Sequence, residues 1–153
     1  MDTDIFEKFI ETLFYVYLEM FDFGFAESEA ELCLSVDDLP AGKDGLTTMY
    51  VNADLNEWTI TITISKSLFG AALTRESLVE IGQVMLHEIC HADCMATCRI
   101  DKFEDNGEME HGKEFIDEAE SHGLQVIFDE NGDYLTTELK LETAAALIIK
   151  FFA

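Results

Sequence analysis

Basic residues are what this chain has least of. Lys and Arg together number 9 against 32 Asp and Glu, a formal net charge of −23 over 153 residues. Binding nucleic acid directly requires a basic footprint for the phosphates, so unaided DNA or RNA binding is not expected. The acidity fits a well-solvated surface, with an acidic mimic of DNA or a docking face for a basic partner as the alternative. Long apolar runs are also missing: none approaches the roughly 18 residues that span a bilayer. The opening Met1-Asp2-Thr3-Asp4 is acidic, unlike the basic start of a secretory signal, so the cytosol is the expected compartment. Cysteine is sparse as well. Cys90, Cys94 and Cys98 follow one another at i, i+4, i+8 on one predicted helix, with Cys33 far upstream. That spacing is poorly placed for disulfides and points to reduced thiols.

What is present suffices for a core. Hydrophobic residues make up 48% and include twelve Phe, enough for one domain over residues 1–153. Ile5, Phe6, Phe9, Ile10, Leu13, Phe14, Tyr17 and Phe21 recur at helical spacing and predict an amphipathic helix over about 2–23, stopping near Gly24. Residues 32–36 and 47–52 predict strands, separated by a turn-rich stretch that holds the only proline, Pro40. From Trp58 to Ser65, Ile alternates with Thr, the pattern of a half-buried antiparallel strand; Asp54 to Glu57 would form the turn before it. A helix capped by Thr74 or Ser77 would run to about Cys98, and a second would span Gly112 to Ser121 before Gly123. Strands 124–128 and 134–137 flank an Asn131-Gly132 turn, and the tail 141–152 reads as a helix, with a strand over 147–152 as the rival. The fold class is α+β, with a small, mostly antiparallel sheet.

One five-residue stretch carries chemistry: His87-Glu88-Ile89-Cys90-His91, the H-E-x-x-H pattern. Residues four apart stack on one helix face, so both imidazoles can reach one ion. Glu88 stands beside the first ligand, where its carboxylate can accept a proton from water. Catalytic zinc takes three protein ligands. The short extension x-x-G-x-x-H is absent, because Cys94 and Thr97 occupy its Gly and His positions. The third ligand must come from another element. His111, just ahead of the second helix, is the leading candidate. Glu114, Asp117 or Glu118 would give a two-His, one-carboxylate site, and His122 is a further alternative.

The residues Leu86-His87-Glu88-Ile89-Cys90-His91-Ala92 and, after a loop, His111-Gly112-Lys113-Glu114-Phe115 together resemble the SprT-like proteins, the group that includes the Spartan proteases. Their pattern is H-E-x-x-H-A followed by H-G-x-x-F. The resemblance covers about residues 45–135 and looks most like short phage or prophage members. It implies a zincin-like metallopeptidase fold, Zn2+ on His87, His91 and His111, and Glu88 as catalytic base. The implied activity is hydrolysis of peptide bonds in protein substrates, in some members of proteins trapped on DNA. Two departures stand out: no zinc ribbon with C-x-x-C pairs, and a charge that disfavours DNA. The protein is expected to act as a monomer on a protein or peptide substrate that lies along a sheet edge. The alternative is a non-catalytic, zinc-stabilised binding protein or acidic DNA mimic on the same fold.

Two further features have a plainer reading. Cys94 and Cys98 fall near the His87 and His91 face, where thiolates could tune a metal, but small buried packing residues are the simpler expectation. The acidic loop with Asp101, Glu104, Asp105, Glu108 and Glu110 lacks the ligand order of a calcium loop and reads as a solvated flap.

Overall fold

The computed structural model describes residues 2–70, 72–104 and 107–153. Helix α1 (Thr3–Met20) turns Phe6, Ile10, Leu13, Phe14, Val16 and Tyr17 inward, and Asp2 caps its start by accepting the Asp4 N–H. It ends three residues earlier than the periodicity predicts. Phe21 is already extended, and Gly24 opens a 3-10 turn rather than closing the helix.

Strands β1 (Glu31–Asp37), β2 (Gly45–Asn52) and β3 (Glu57–Ser65) form a sheet in the order β1-β3-β2. The Ile–Thr alternation does what period-two patterning requires. Ile60, Ile62 and Ile64 are buried, while Thr59, Thr61 and Thr63 are only partly covered. The sheet is not uniformly antiparallel: β2 runs against β3, but β1 runs parallel to it. The Pro40-containing loop carries the chain from one edge of the sheet to the other, which leaves the centre to β3 and aligns it with β1. Asn56 takes a left-handed backbone (φ 50°) in the tight β2–β3 turn, a conformation Asn tolerates.

Helix α2 (Arg75–Ala96) is the axis of the molecule. Thr74 and Ser77, alternatives as caps on sequence grounds, act together: Thr74 Oγ1 accepts the Ser77 N–H at 3.1 Å while Ser77 Oγ accepts the Thr74 N–H at 2.8 Å. From Ile89 to Ala96 every residue is buried. The helix packs on β2 and β3, on α1, and on the elements that follow it. The buried Tyr17 hydroxyl donates to Gly82 O at 2.6 Å and ties α1 to α2. A methyl group at Gly82 would sit 2.7 Å from Leu147 Cδ1 and 3.0 Å from that hydroxyl.

After α2 the chain reverses at Cys98 (φ 58°) and forms a short two-stranded excursion in which Phe103 bridges Met109. Asp105, one of the acids of the supposed flap, lies outside the described residues. Helix α3 (Lys113–Ser121) follows, then a separate hairpin of β4 (Leu124–Phe128) and β5 (Tyr134–Leu139). The architecture is therefore α+β with two small sheets. The tail is helix α4 (Leu141–Phe152), not a strand, and Leu147 plugs it into the core.

Candidate metal centre

Three side chains from two parts of the chain converge on one point. His87 and His91 leave the same face of α2, and His111 arrives from the residue before the α3 cap. Their Nε2 atoms form a nearly equilateral triangle: 3.1 Å from His87 to His111, 3.2 Å from His91 to His87, and 3.2 Å from His91 to His111. Burial lowers the pKa of His87 to about 3 and that of His91 well below 6.5, and the neighbouring imidazoles push in the same direction. His111 is lowered too, chiefly by burial, with Glu108 and Asp101 pulling the other way. Both α2 rings are thus held neutral, the form that coordinates a metal.

Neutral rings cannot satisfy one another in this triangle. The His87 tautomer that donates Nδ1–H to Thr137 Oγ1, at 2.8 Å, directs its Nε2 lone pair at the other two rings. A cation resolves that convergence. Nitrogen ligands held about 2.0–2.1 Å from a tetrahedral ion lie about 3.3 Å apart, close to the separations observed. His87, His91 and His111 could therefore hold a metal ion. His91 Nδ1 is buried and has no hydrogen-bond partner among the described residues.

Position is enforced around the triad. Phe115 packs under all three rings, with centroid distances of 4.7, 4.1 and 4.9 Å to His87, His91 and His111. Tyr134 stacks flat on His111 at 4.1 Å and 8°. Asp101 accepts the backbone N–H groups of Glu114 and Phe115 at 3.1 and 2.9 Å. It thereby caps α3, whose own cap residue, Gly112, has no side chain to do so. A Cβ at Gly112 would lie 2.7 Å from Asp101 Oδ1, so the glycine of the H-G-x-x-F stretch is what admits the capping carboxylate.

Glu88 points into the same space. Its Oε2 lies 3.9 Å from His87 Nε2, and the Thr47 hydroxyl reaches its Oε1 at 2.8 Å. Burial raises its pKa to about 7, Thr47 opposes that shift, and Glu108 adds to it. The triad and Glu88 share an open cleft of about 400 Å3, walled by Gly45 and Thr47 of β2, by Tyr134 to Thr137 of β5, and by Glu104 and Glu108 of the excursion. β2 is an outer strand of its sheet, and among the described residues it pairs only with β3, so its other edge lies open beside α2.

Compared with models of protein families, with curated proteins and with solved structures, the chain has no match. What the site can do is read from its own atoms.

Among the described residues, none of the rival ligands Glu114, Asp117, Glu118 and His122 joins the three histidines. Asp117 is exposed and pairs with Lys113 at 2.6 Å. Glu118 lies with Asp93 and His122 in a second cluster, where the Arg99 guanidinium already supplies a cation: it is 3.2 Å from Asp93 Oδ2 and is hydrogen-bonded to Glu118 Oε1. His122 ends α3, stacks on Phe23 at 4.7 Å and faces Asp22 O at 3.0 Å. Cys94 is buried with its Sγ 3.7 Å from Glu114 O, and burial pushes its thiol up to about 12, so it stays protonated. Cys98 is exposed at the end of α2, and all four cysteines are free. Thr47, Tyr134 and Thr137 were not among the expected site residues, and Asp101, expected in a solvated flap, instead caps α3. Only Asp101 carried a signal: an acid eleven residues before Gly112, a helix cap with no side chain.

Proposed function

We propose that the protein is a zinc-dependent metalloendopeptidase of the SprT-like, zincin type, acting on protein or peptide substrates. The observation that carries this reading is the convergence of three imidazole Nε2 atoms beside a buried glutamate in an open cleft. A purely structural zinc is enclosed by four protein ligands, whereas a catalytic one keeps a position free. Three histidines facing a cleft match the second arrangement. Three neutral imidazoles are also a donor set that suits zinc.

Zinc bound there would supply Lewis acidity, polarising a carbonyl oxygen and lowering the pKa of a water ligand to about 7. The chain's own residues account for the rest. Glu88, poised near neutrality, accepts the proton of the attacking water and returns it to the leaving amine. The Thr47 hydroxyl holds one oxygen of that carboxylate and leaves Oε2 for the transfer. Thr137 fixes the ring orientation of His87, as a partner behind a ligand does. The free edge of β2 offers backbone donors and acceptors to an extended substrate, and the cleft places its scissile bond between Glu88 and the triad.

The test uses two variants. Glu88→Gln should keep its zinc and its fold but lose peptide cleavage by about 10²–10⁴-fold, and His111→Ala should lose stoichiometric zinc. A Glu88→Gln protein that still cleaves would sink the peptidase reading. A binding protein that uses the metal only as a staple would not respond to that change at all.

A further inference from the structure

The charged groups around the cleft are unevenly distributed. Apart from Glu88, its lining carries Asp44, Glu104 and Glu108 against one base, Lys43. Lys43 places its ammonium on Glu108, from the opposite lip, so the wall already holds an alkylammonium. Glu108 is also close to the chemistry, because its charge acts on both Glu88 and His111. Glu104 is fixed beside it: its N–H donates to Glu108 O at 2.7 Å across the two-stranded excursion, and its side chain is exposed.

We infer that the cleft selects polypeptides bearing lysine or arginine near the reacting bond, the basic side chain lying against Glu104 and Glu108 where Lys43 now reaches. This rests on the peptidase reading for the identity of the reacting bond, but the recognition itself is a matter of the wall. A segment running along β2 directs alternate side chains away from the sheet plane, so one passing the triad meets the excursion that carries both glutamates. Lys43 then acts as an internal competitor. Its ammonium occupies the wall in the resting protein and gives way to a substrate base, which exchanges one ion pair for another instead of desolvating a lone carboxylate. A net charge of −23 adds long-range attraction for basic chains and repels acidic ones.

The experiment measures binding apart from cleavage. Zinc-loaded Glu88→Gln protein is titrated by fluorescence anisotropy with three labelled peptides, identical except for Lys, Ala or Glu at alternate positions. The Lys peptide should bind tightest, and its advantage should shrink at high salt. Adding Glu104→Gln should cut that advantage by roughly three- to fivefold, the scale of one screened charge pair. Adding Lys43→Met should increase it. Glu29→Gln, at an exposed position outside the cleft, should change nothing. Equal binding of the three peptides overturns the inference, as does an effect of Glu29→Gln that matches Glu104→Gln, which would mean unspecific attraction. Cleavage of the same peptides by wild type separates the two readings. Lys-selective binding without cleavage removes the peptidase and keeps the basic-segment site; cleavage with no preference for Lys does the reverse.

Discussion

Gly45 shows how narrowly single residues set this site. A Cβ there would meet Glu88 Cγ at 2.8 Å, Val84 Cγ1 at 2.9 Å and Glu88 Oε2 at 3.0 Å. Its backbone φ is not positive, so the glycine is needed for space beside the glutamate and not for conformation. Gly45→Ala should therefore displace Glu88 and lower kcat by about 10–100-fold, while zinc content stays at one per chain and the melting temperature changes little. Full activity in that variant would show that the carboxylate tolerates movement. At this scale His87, Glu88 and His91 were legible because one helical turn is enough to define their relation. Gly45 and Thr47 were not, since their importance comes from contacts some forty residues away along the chain.

Among the elements, α2 and α3 divide the labour. α2 supplies two histidines whose spacing is guaranteed by helix geometry, and its burial on nearly all sides makes it a fixed reference. α3 supplies orientation: Phe115 supports all three rings, and the helix start positions His111. That start depends on Asp101 across the chain. Asp101→Ala should leave the Glu114 and Phe115 N–H groups without their acceptor, costing about 1 kcal/mol of stability. It should also weaken zinc binding by about 10–100-fold, as loss of a ligand's supporting partner does. Competition with a chelator and thermal melting read the two effects separately. Unchanged metal affinity would mean that His111 is held by Tyr134 and Phe115 alone. Element types were legible where periodicity was strong, in α1, β3 and α2. Helix ends were less so: α1 stops at Met20, where Phe21 and Phe23 pack edge-to-face on each other, Phe21 edge-on and Phe23 flat against His122. α2 stops at Ala96 because Thr97 and Cys98 reverse the chain.

Across the whole molecule, one buried cluster joins the N-terminal turn to both site helices. Asp93 on α2 accepts the Phe25 N–H at 2.9 Å, and Arg99 bridges Asp93 and Glu118. Burial, with the Asp93 carboxyl beside it, raises the Glu118 pKa from 4.5 to about 7 despite Arg99 and His122. The folded protein thus holds a proton there that the unfolded chain releases. This contribution to stability is fully present below about 4.5 and is lost as pH rises through about 7. The stability advantage of wild type over Glu118→Gln, from denaturant titrations, should accordingly shrink between those values. An advantage that grows with pH would mean that the carboxylate is stabilised in its charged form. On this scale the sequence by itself determined the period-coded parts: the α+β class, the core faces of α1 and β3, and the paired histidines with their glutamate. It also set the acidity that disfavours direct DNA binding. Only the tertiary structure decided that His111, and not Glu114, Asp117, Glu118 or His122, stands with the first two imidazoles. It alone placed β1 parallel to β3, made β2 an outer strand at the cleft, and put an acidic wall beside Glu88. The physical reason is range: helix and strand periods act over a few residues, whereas ligand closure, strand order and cleft walls depend on where loops bring distant segments together.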